Sequence, residues 1–226
     1  MDRDTSAIGG LRHPLQPTRQ LFYFTIAMDI LAVAICAFIQ VELAVGILLY
    51  ILASRAYSYR GIRLKQYPVL GFLTVFMFQG ALVYLLTSHA IDTNHKFQWP
   101  LLPALTSSTL IGALYPLTQI YQHQDDKADG VVTISMLLGK TGTFVFSAVL
   151  FLAATCCIYV VVRDVSIQQF YYFLLIMLPV VLFFLRWMTW VLKDPQTANF
   201  TNSLRMNVLA TACTTIYFLL IFILNH

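Results

Sequence analysis

Charge is what this sequence has least of. Only 11% of its 226 residues are Asp, Glu, Lys or Arg, against 59% apolar ones, and the mean hydropathy is +0.74. A soluble domain of this length lacks the interior to hide that much apolar surface, which excludes a water-soluble globular fold. Cysteine is scarce too. Cys36, Cys156, Cys157 and Cys213 all fall in apolar runs, with no C-x-x-C pair and no ligand-like spacing. They read as small core fillers, not as a redox or metal centre. The chain has no internal repeat, no low-complexity segment and no linker, so residues 1–226 are expected to form one unit. The opening MDRDTSAIGG carries two aspartates and no apolar core, so it is not expected to be a cleavable signal peptide.

What fills the chain instead is a series of apolar runs of membrane-crossing length, about 20 residues each. They read as 21–39, 42–57, 67–87, 100–120, 143–162, 169–191 and 205–224, predicting an all-α, multi-spanning bundle of seven transmembrane helices. The basic residues fall almost wholly on one side of it. Arg3, Arg12 and Arg19 precede the first run, and Arg55, Arg60, Arg63 and Lys65 lie between the second and third. Lys127 and Lys140 lie between the fourth and fifth, and Arg186, Lys193 and Arg205 lie at or near the ends of the last two. Twelve of the fourteen cations thus share a face, opposed only by Lys96 and Arg163. By the positive-inside rule that face is cytoplasmic, and the expected location is the cell (inner) membrane. The net charge of +4 reports topology and gives no sign of nucleic-acid binding.

Against this background the stretch YQHQDDKADGVVTISMLLG, 121–139, stands out, because Asp125, Asp126 and Asp129 crowd within five residues. Carboxylates three and four apart repel on a helix. They also follow the C-terminal end of an apolar helix, where the macrodipole disfavours anions. Two readings stand on spacing alone: a solvated acidic loop, or a site holding Mg²⁺ together with an anion. Mg²⁺ takes hard oxygen donors, usually one or two carboxylates plus substrate phosphates. Two basic segments on the same face would complete the neutralisation of those phosphates, SRAYSYRGIRLKQYP at 54–68 and the arm DRDTSAIGGLRHPLQPTRQ. Cytoplasmic loops are basic by rule, whereas acidic residues add nothing to orientation. A ligand with an anionic head and a long apolar tail fits such a rim, and a prenyl diphosphate has both properties.

Several motifs carry a resemblance to a known family. YQHQDDKADGVVTISMLLG resembles the second aspartate-rich motif of the UbiA-type intramembrane prenyltransferases, with its downstream G-x-x-T and closing glycine. YSYRGIRLK, 57–65, looks like that family's Y-S-x-x-x-x-R-x-K loop, and DPQTANFTNSLRMN, 194–207, resembles the polar entry to its last helix. The arm DRDTSAIGGLRHPLQPTR looks like the tail of the first aspartate-rich region. These pieces keep the family's order and span nearly the whole chain. Family members typically have nine transmembrane helices, with the first motif, roughly N-D-x-x-D-x-x-x-D, at the end of the second. This chain is expected to begin within or just past that motif, without the first two helices. Asp2 and Asp4 remain, and Arg12-His13-Pro14 stands where the family has Arg-Pro.

The resemblance implies transfer of an isoprenyl group from a prenyl diphosphate to a hydrophobic acceptor, an aromatic or quinone precursor, within the bilayer. It implies Asp125 and Asp129 as magnesium carboxylates with Asp126 as a third participant, and Asp2 and Asp4 as remnants of the first set. Arg63 and Lys65 would bind diphosphate, Tyr57 would position the leaving oxygen or the acceptor, and Lys127 would reach phosphate or screen its acidic neighbours. Asn199, Asn202 and Arg205 would floor the head-group pocket, or else cap and anchor a helix start. Phe72, Phe76, Phe78 and Phe144 would line an apolar tunnel, or else simply pack.

Two features fall outside that scheme. Asp29, in LFYFTIAMDILAVAICAFI, lies near mid-membrane, where an ionisable residue is costly unless paired or hydrated. HAIDTNH, 89–95, gives His89, Asp92 and His95 metal-like spacing, but in the opposite loop, where an ordinary polar turn is the simpler reading. Two rivals to the enzyme follow: an inactive or partner-dependent shortened relative that binds lipid or protein, and a small transporter or channel. The latter needs polar residues strung through the membrane depth, whereas these bunch at one rim.

Overall fold

The computed structural model of the chain describes residues 7, 10–91 and 99–225. Its helices are α1 (Arg19–Ile39), α2 (Val41–Ser58), α3 (Pro68–Ile91), α4 (Leu101–Gln119), α5 (His123–Ala128), α6 (Ile134–Val162), α7 (Ile167–Lys193) and α8 (Phe200–Asn225). All but the short α5 are long and apolar enough to cross a membrane, seven in the described residues. The protein is an all-α, multi-pass integral membrane bundle.

Local chemistry sets the helix starts. Thr18 caps α1, its hydroxyl accepting from the Leu21 amide at 3.1 Å. Pro68 opens α3 at the position where its missing N–H costs nothing. Thr133 caps α6 in the same way as Thr18, from Met136 at 3.3 Å. This places the start of α6 nine residues before the expected 143. The apolar run marks only the part of α6 beyond the rim. Gly139, at φ +69°, breaks the helix into a first surface turn and a long membrane segment, a conformation that suits glycine. Likewise α8 begins at Phe200 and not at 205, so Arg205 lies inside a helix, as do Arg55 in α2 and Arg186 in α7.

The core lies where α4 packs against α6 and α8, with α7 behind them. Leu117, Phe144, Phe184, Trp187 and Met206 are its buried centre. Phe144 meets Trp187 edge-on at a ring separation of 4.9 Å and so is a packing residue, not the wall of a tunnel. On the other side of α4, α3 approaches closely. A Cβ on Gly80 would sit 2.4 Å from the Ser108 Cα. There α3 widens into a π-helix over Val75–Leu82, and the Ser108 hydroxyl donates to the Phe76 carbonyl at 2.8 Å. At the periphery α1 packs on α2 and has no buried residue. The chain's alternating passage puts the segments 10–18, 59–67, 120–133 and 194–199 on one face.

Candidate functional site

After α2 the chain makes a tight basic loop. Arg63 adopts a left-handed backbone (φ 47°, ψ 59°), which costs a non-glycine residue roughly 1–2 kcal/mol and needs a compensating hold. That hold is Asp129. Arg63, only 8% exposed, donates through its side chain to the Asp129 carboxylate and, at 3.2 Å, to its carbonyl. Arg60 stands 3.6 Å from the same carboxylate. Asp129 itself closes α5, its amide donating to the Asp125 carbonyl at 3.0 Å, and Gly130 then turns the chain with φ +71°. The hydrogen bond from Arg63 holds the Asp129 carboxyl below the usual carboxylate range. The charges of Arg63, Arg60 and Lys65 help, against the cost of desolvation. The basic and acidic loops thus share one rim and are in contact.

The other acidic residues diverge. Asp125 is exposed, as is Lys127, and Asp126 is half-buried toward the helix bundle. Asp126 lies close enough to Tyr121 to raise its phenol above the ordinary range, second to burial. Among the described residues no three His, Cys, Asp or Glu side chains gather as a ready-made metal cage. Asp2 and Asp4 lie outside the described residues, as do Asp92 and His95. Beneath the rim, the hydroxyls of Tyr57 and Tyr115 are 2.5 Å apart. The Tyr115 ring lies tilted at 6.4 Å from Phe72, which meets Phe76 at 5.7 Å and Phe146 at 5.2 Å.

The acidic helix is held down by groups that sequence reasoning did not single out. The imidazole Nε2 of His123 lies 2.8 Å from the Ser135 hydroxyl, which lies 3.0 Å from that of Thr143. Thr143 in turn donates to the Gly139 carbonyl at 2.7 Å. Burial, then the charge of Lys140, pushes the His123 pKa below its ordinary value. Polar Ser135 and Thr143 within an otherwise apolar helix were the available signal. Tyr121 packs edge-on against Phe200 at 5.4 Å, tying α5 to the start of α8. The amino-terminal arm crosses the same ground. Ala7 accepts from Gln122 at 3.1 Å, and Arg12 donates to the Thr201 hydroxyl at 3.1 Å while lying over the Phe200 ring.

The last polar segment is engaged locally. Asn199 accepts from the Asn202 amide at 3.0 Å, capping α8, and the Asn202 side chain donates to the Thr197 carbonyl at 2.9 Å. Arg205 is exposed on α8. Of the residues singled out in the sequence, the structure brings Arg63, Asp129 and Lys65 into one charged group. It puts Tyr57 and Asp126 beside Tyr115, and leaves Asn199, Asn202 and Arg205 at the start of α8. His89 is buried at the far end of α3.

A family model described as the UbiA prenyltransferase family matches residues 13–211. Neither a curated protein nor a solved structure matches the chain.

Proposed function

The chain belongs to the UbiA prenyltransferase family, and from that premise we propose that it transfers an isoprenyl group from a prenyl diphosphate to a hydrophobic acceptor within the membrane, at the rim where Arg63 meets Asp129. The observation that carries this reading is that contact: a cation-rich loop and a carboxylate-rich helix, far apart in sequence, converge above a group of aromatic rings.

The chemistry explains the residue types. Departure of diphosphate from an allylic carbon builds negative charge on phosphate oxygens and positive charge on the hydrocarbon. Arg63, Lys65 and Arg60 supply fixed positive charge at the rim. Asp129 holds Arg63 in its strained backbone and so keeps that donor aimed. Tyr57 positions the leaving oxygen or the acceptor, and Lys127 screens the acidic helix or reaches phosphate. Phe72, Phe76 and Phe146 receive the apolar chain, and their ring faces favour a developing cation.

Family members generally use Mg²⁺. The donor set here fits that ion. Asp125 and Asp129 offer accessible carboxylates at the rim, the Asp129 side chain 38% exposed, with Asp126 one turn inward. Phosphate oxygens would fill the remaining shell. Asp2 and Asp4 would supply a second set. Bound there, Mg²⁺ would draw charge from the leaving diphosphate. The charge bias supports a cytoplasmic rim.

In membranes carrying the protein, Mg²⁺-dependent incorporation of labelled prenyl diphosphate into lipid should vanish in Asp125→Ala and Asp129→Ala. Full turnover in those variants would reject the site. The second reading is an inactive or partner-dependent relative that binds lipid or protein. It predicts diphosphate binding with no transfer by the wild-type chain alone.

A further inference from the structure

An ion pair stands on the outside of the bundle, between Asp29 of α1 and Arg55 of α2. Arg55 is two residues from Tyr57, about 200° round α2, so it points away from the face on which Tyr57 meets Tyr115. Asp29 lies ten residues into α1, roughly 15 Å from the rim end of that helix and near the middle of a hydrocarbon core about 30 Å thick. Yet the side chains of Arg55 and Asp29 are 37% and 32% exposed. Charges at that depth ordinarily face a bundle interior, because hydrocarbon gives them nothing. The pair is also incompletely used. Arg55 donates through Nε and Nη2, both to Oδ2 of Asp29. Among the described residues nothing bonds Oδ1 of Asp29 or Nη1 of Arg55, so each group keeps capacity for a second partner.

The helix that carries Asp29 adds a second observation. None of the membrane window of α1 is buried, whereas the other six spanning helices bury 17–39% of theirs. Ala32, one turn on from Asp29, is exposed and small enough to let another helix come close. Charge decides what that helix is. Two copies related by a two-fold axis along the membrane normal set α1 of one against α2 of the other, at equal depth. Each carboxylate then meets the other copy's guanidinium, and the two pairs close into a ring of four alternating charges. The face is thus its own complement. A lipid phosphate stays at the interface, well above Asp29, and would be repelled by that carboxylate. A different protein would have to repeat this charge pattern on two adjacent helices at the same height.

We propose that the outer face of α1 and α2 is the contact between two copies of this chain, closed by reciprocal Asp29–Arg55 pairs. It stands independently of the prenyl-transfer reading. The test uses the whole chain in liposomes, with subunits counted by single-molecule photobleaching across a dilution series. Photoreactive benzoylphenylalanine replaces Leu52, which is exposed and one turn from Arg55. Wild type should be dimeric, and the probe at Leu52 should give a dimer-sized adduct whose crosslinked peptide falls in α1. The same probe at Val208, exposed on α8, should give none. Asp29→Leu with Arg55→Leu should raise the dimer dissociation constant about tenfold for each reciprocal pair lost, about a hundredfold in all, since apolar side chains gain little over lipid from each other. Asp29→Arg with Arg55→Asp keeps the alternating pattern and should still pair with itself. Mixed with wild type in two colours, it should form like pairs only, because an unlike pair sets Asp against Asp and Arg against Arg. Monomers at every dilution overturn the proposal. A dimer that survives the double leucine change, or unlike pairs as frequent as chance, places the contact elsewhere and overturns it too. Adducts of the Leu52 probe with lipid alone mean that the bilayer covers this face, and likewise overturn it.

Discussion

Arg55, three residues from the end of α2, reaches across to Asp29 on α1 and donates to one oxygen of its carboxylate, through Nε at 2.9 Å and again through Nη2. The guanidinium also lies 6.0 Å from the centre of the Phe22 ring. This pairing is how an ionisable residue in the middle of an apolar helix is tolerated. Because α1 packs on α2, the pair also fixes the relative height of those two helices. Removing one partner leaves the other charged in hydrocarbon, so Asp29→Ala or Arg55→Ala should each cost on the order of 3 kcal/mol. The double change Asp29→Leu with Arg55→Leu should recover most of that loss. Unfolding of the purified protein in mild detergent measures all three. Single variants as stable as wild type would show the pair to be idle.

The Asp129–Arg63 contact makes a statement about acid. Its hydrogen bond from Arg63 depresses the folded-state pKa of Asp129 below the unfolded value near 3.9. The contribution to stability is therefore present above that value and lost as pH falls through the folded pKa. Wild type should melt above Asp129→Asn at neutral pH, and the gap should close on acidification below about pH 4. A gap that persists unchanged at the lowest pH would show that the carboxylate's charge does not hold the loop.

His123 predicts a second, separate pH effect in a milder range. Burial, with Lys140 nearby, lowers its folded pKa, so the unfolded chain binds the extra proton first. Stability should be full above the unfolded value of about 6.5 and decline as pH drops below it, until the folded pKa is reached. His123→Gln should flatten the melting temperature between roughly pH 5 and 7. The same slope in wild type and variant would assign the effect to another group.

Much of this arrangement was legible in the amino-acid order. Seven apolar runs gave seven spanning helices, because a run of membrane length has few other uses. The basic loop at 57–65 and the carboxylates at 125–129 were expected on one face, and they touch. The details of contact were not legible. Nothing in YSYRGIRLK signals that Arg63 alone turns left-handed, because that conformation depends on Asp129 arriving from another part of the chain. Phe144 and Phe72 look alike in sequence, yet one is sealed against Trp187 and the other stands beside Tyr115. The start of α6 was misplaced for a similar reason. Gly139 breaks the helix, and Lys140, Thr141 and Thr143 separate its first turns from the long apolar run, so hydropathy begins the span only after them.

Two glycines separate tolerable from intolerable crowding. A Cβ on Gly46 would fall 2.1 Å from the Leu86 Cδ2, the far end of a side chain that can rotate away. A Cβ on Gly80 would fall 2.4 Å from the Ser108 Cα and 2.9 Å from its amide nitrogen, backbone that cannot yield without moving α4. Gly80→Ala must therefore push α3 off α4, strain the π-helix and break the bond from Ser108 to the Phe76 carbonyl. Overpacking of this kind costs about 1–3 kcal/mol, and Gly80→Ala should lie at the upper end with Gly46→Ala at the lower. Thermal unfolding in detergent ranks the two. Equal losses would mean that Leu86 is as fixed as the backbone, and a harmless Gly80→Ala would mean that α3 and α4 stand further apart than this packing places them.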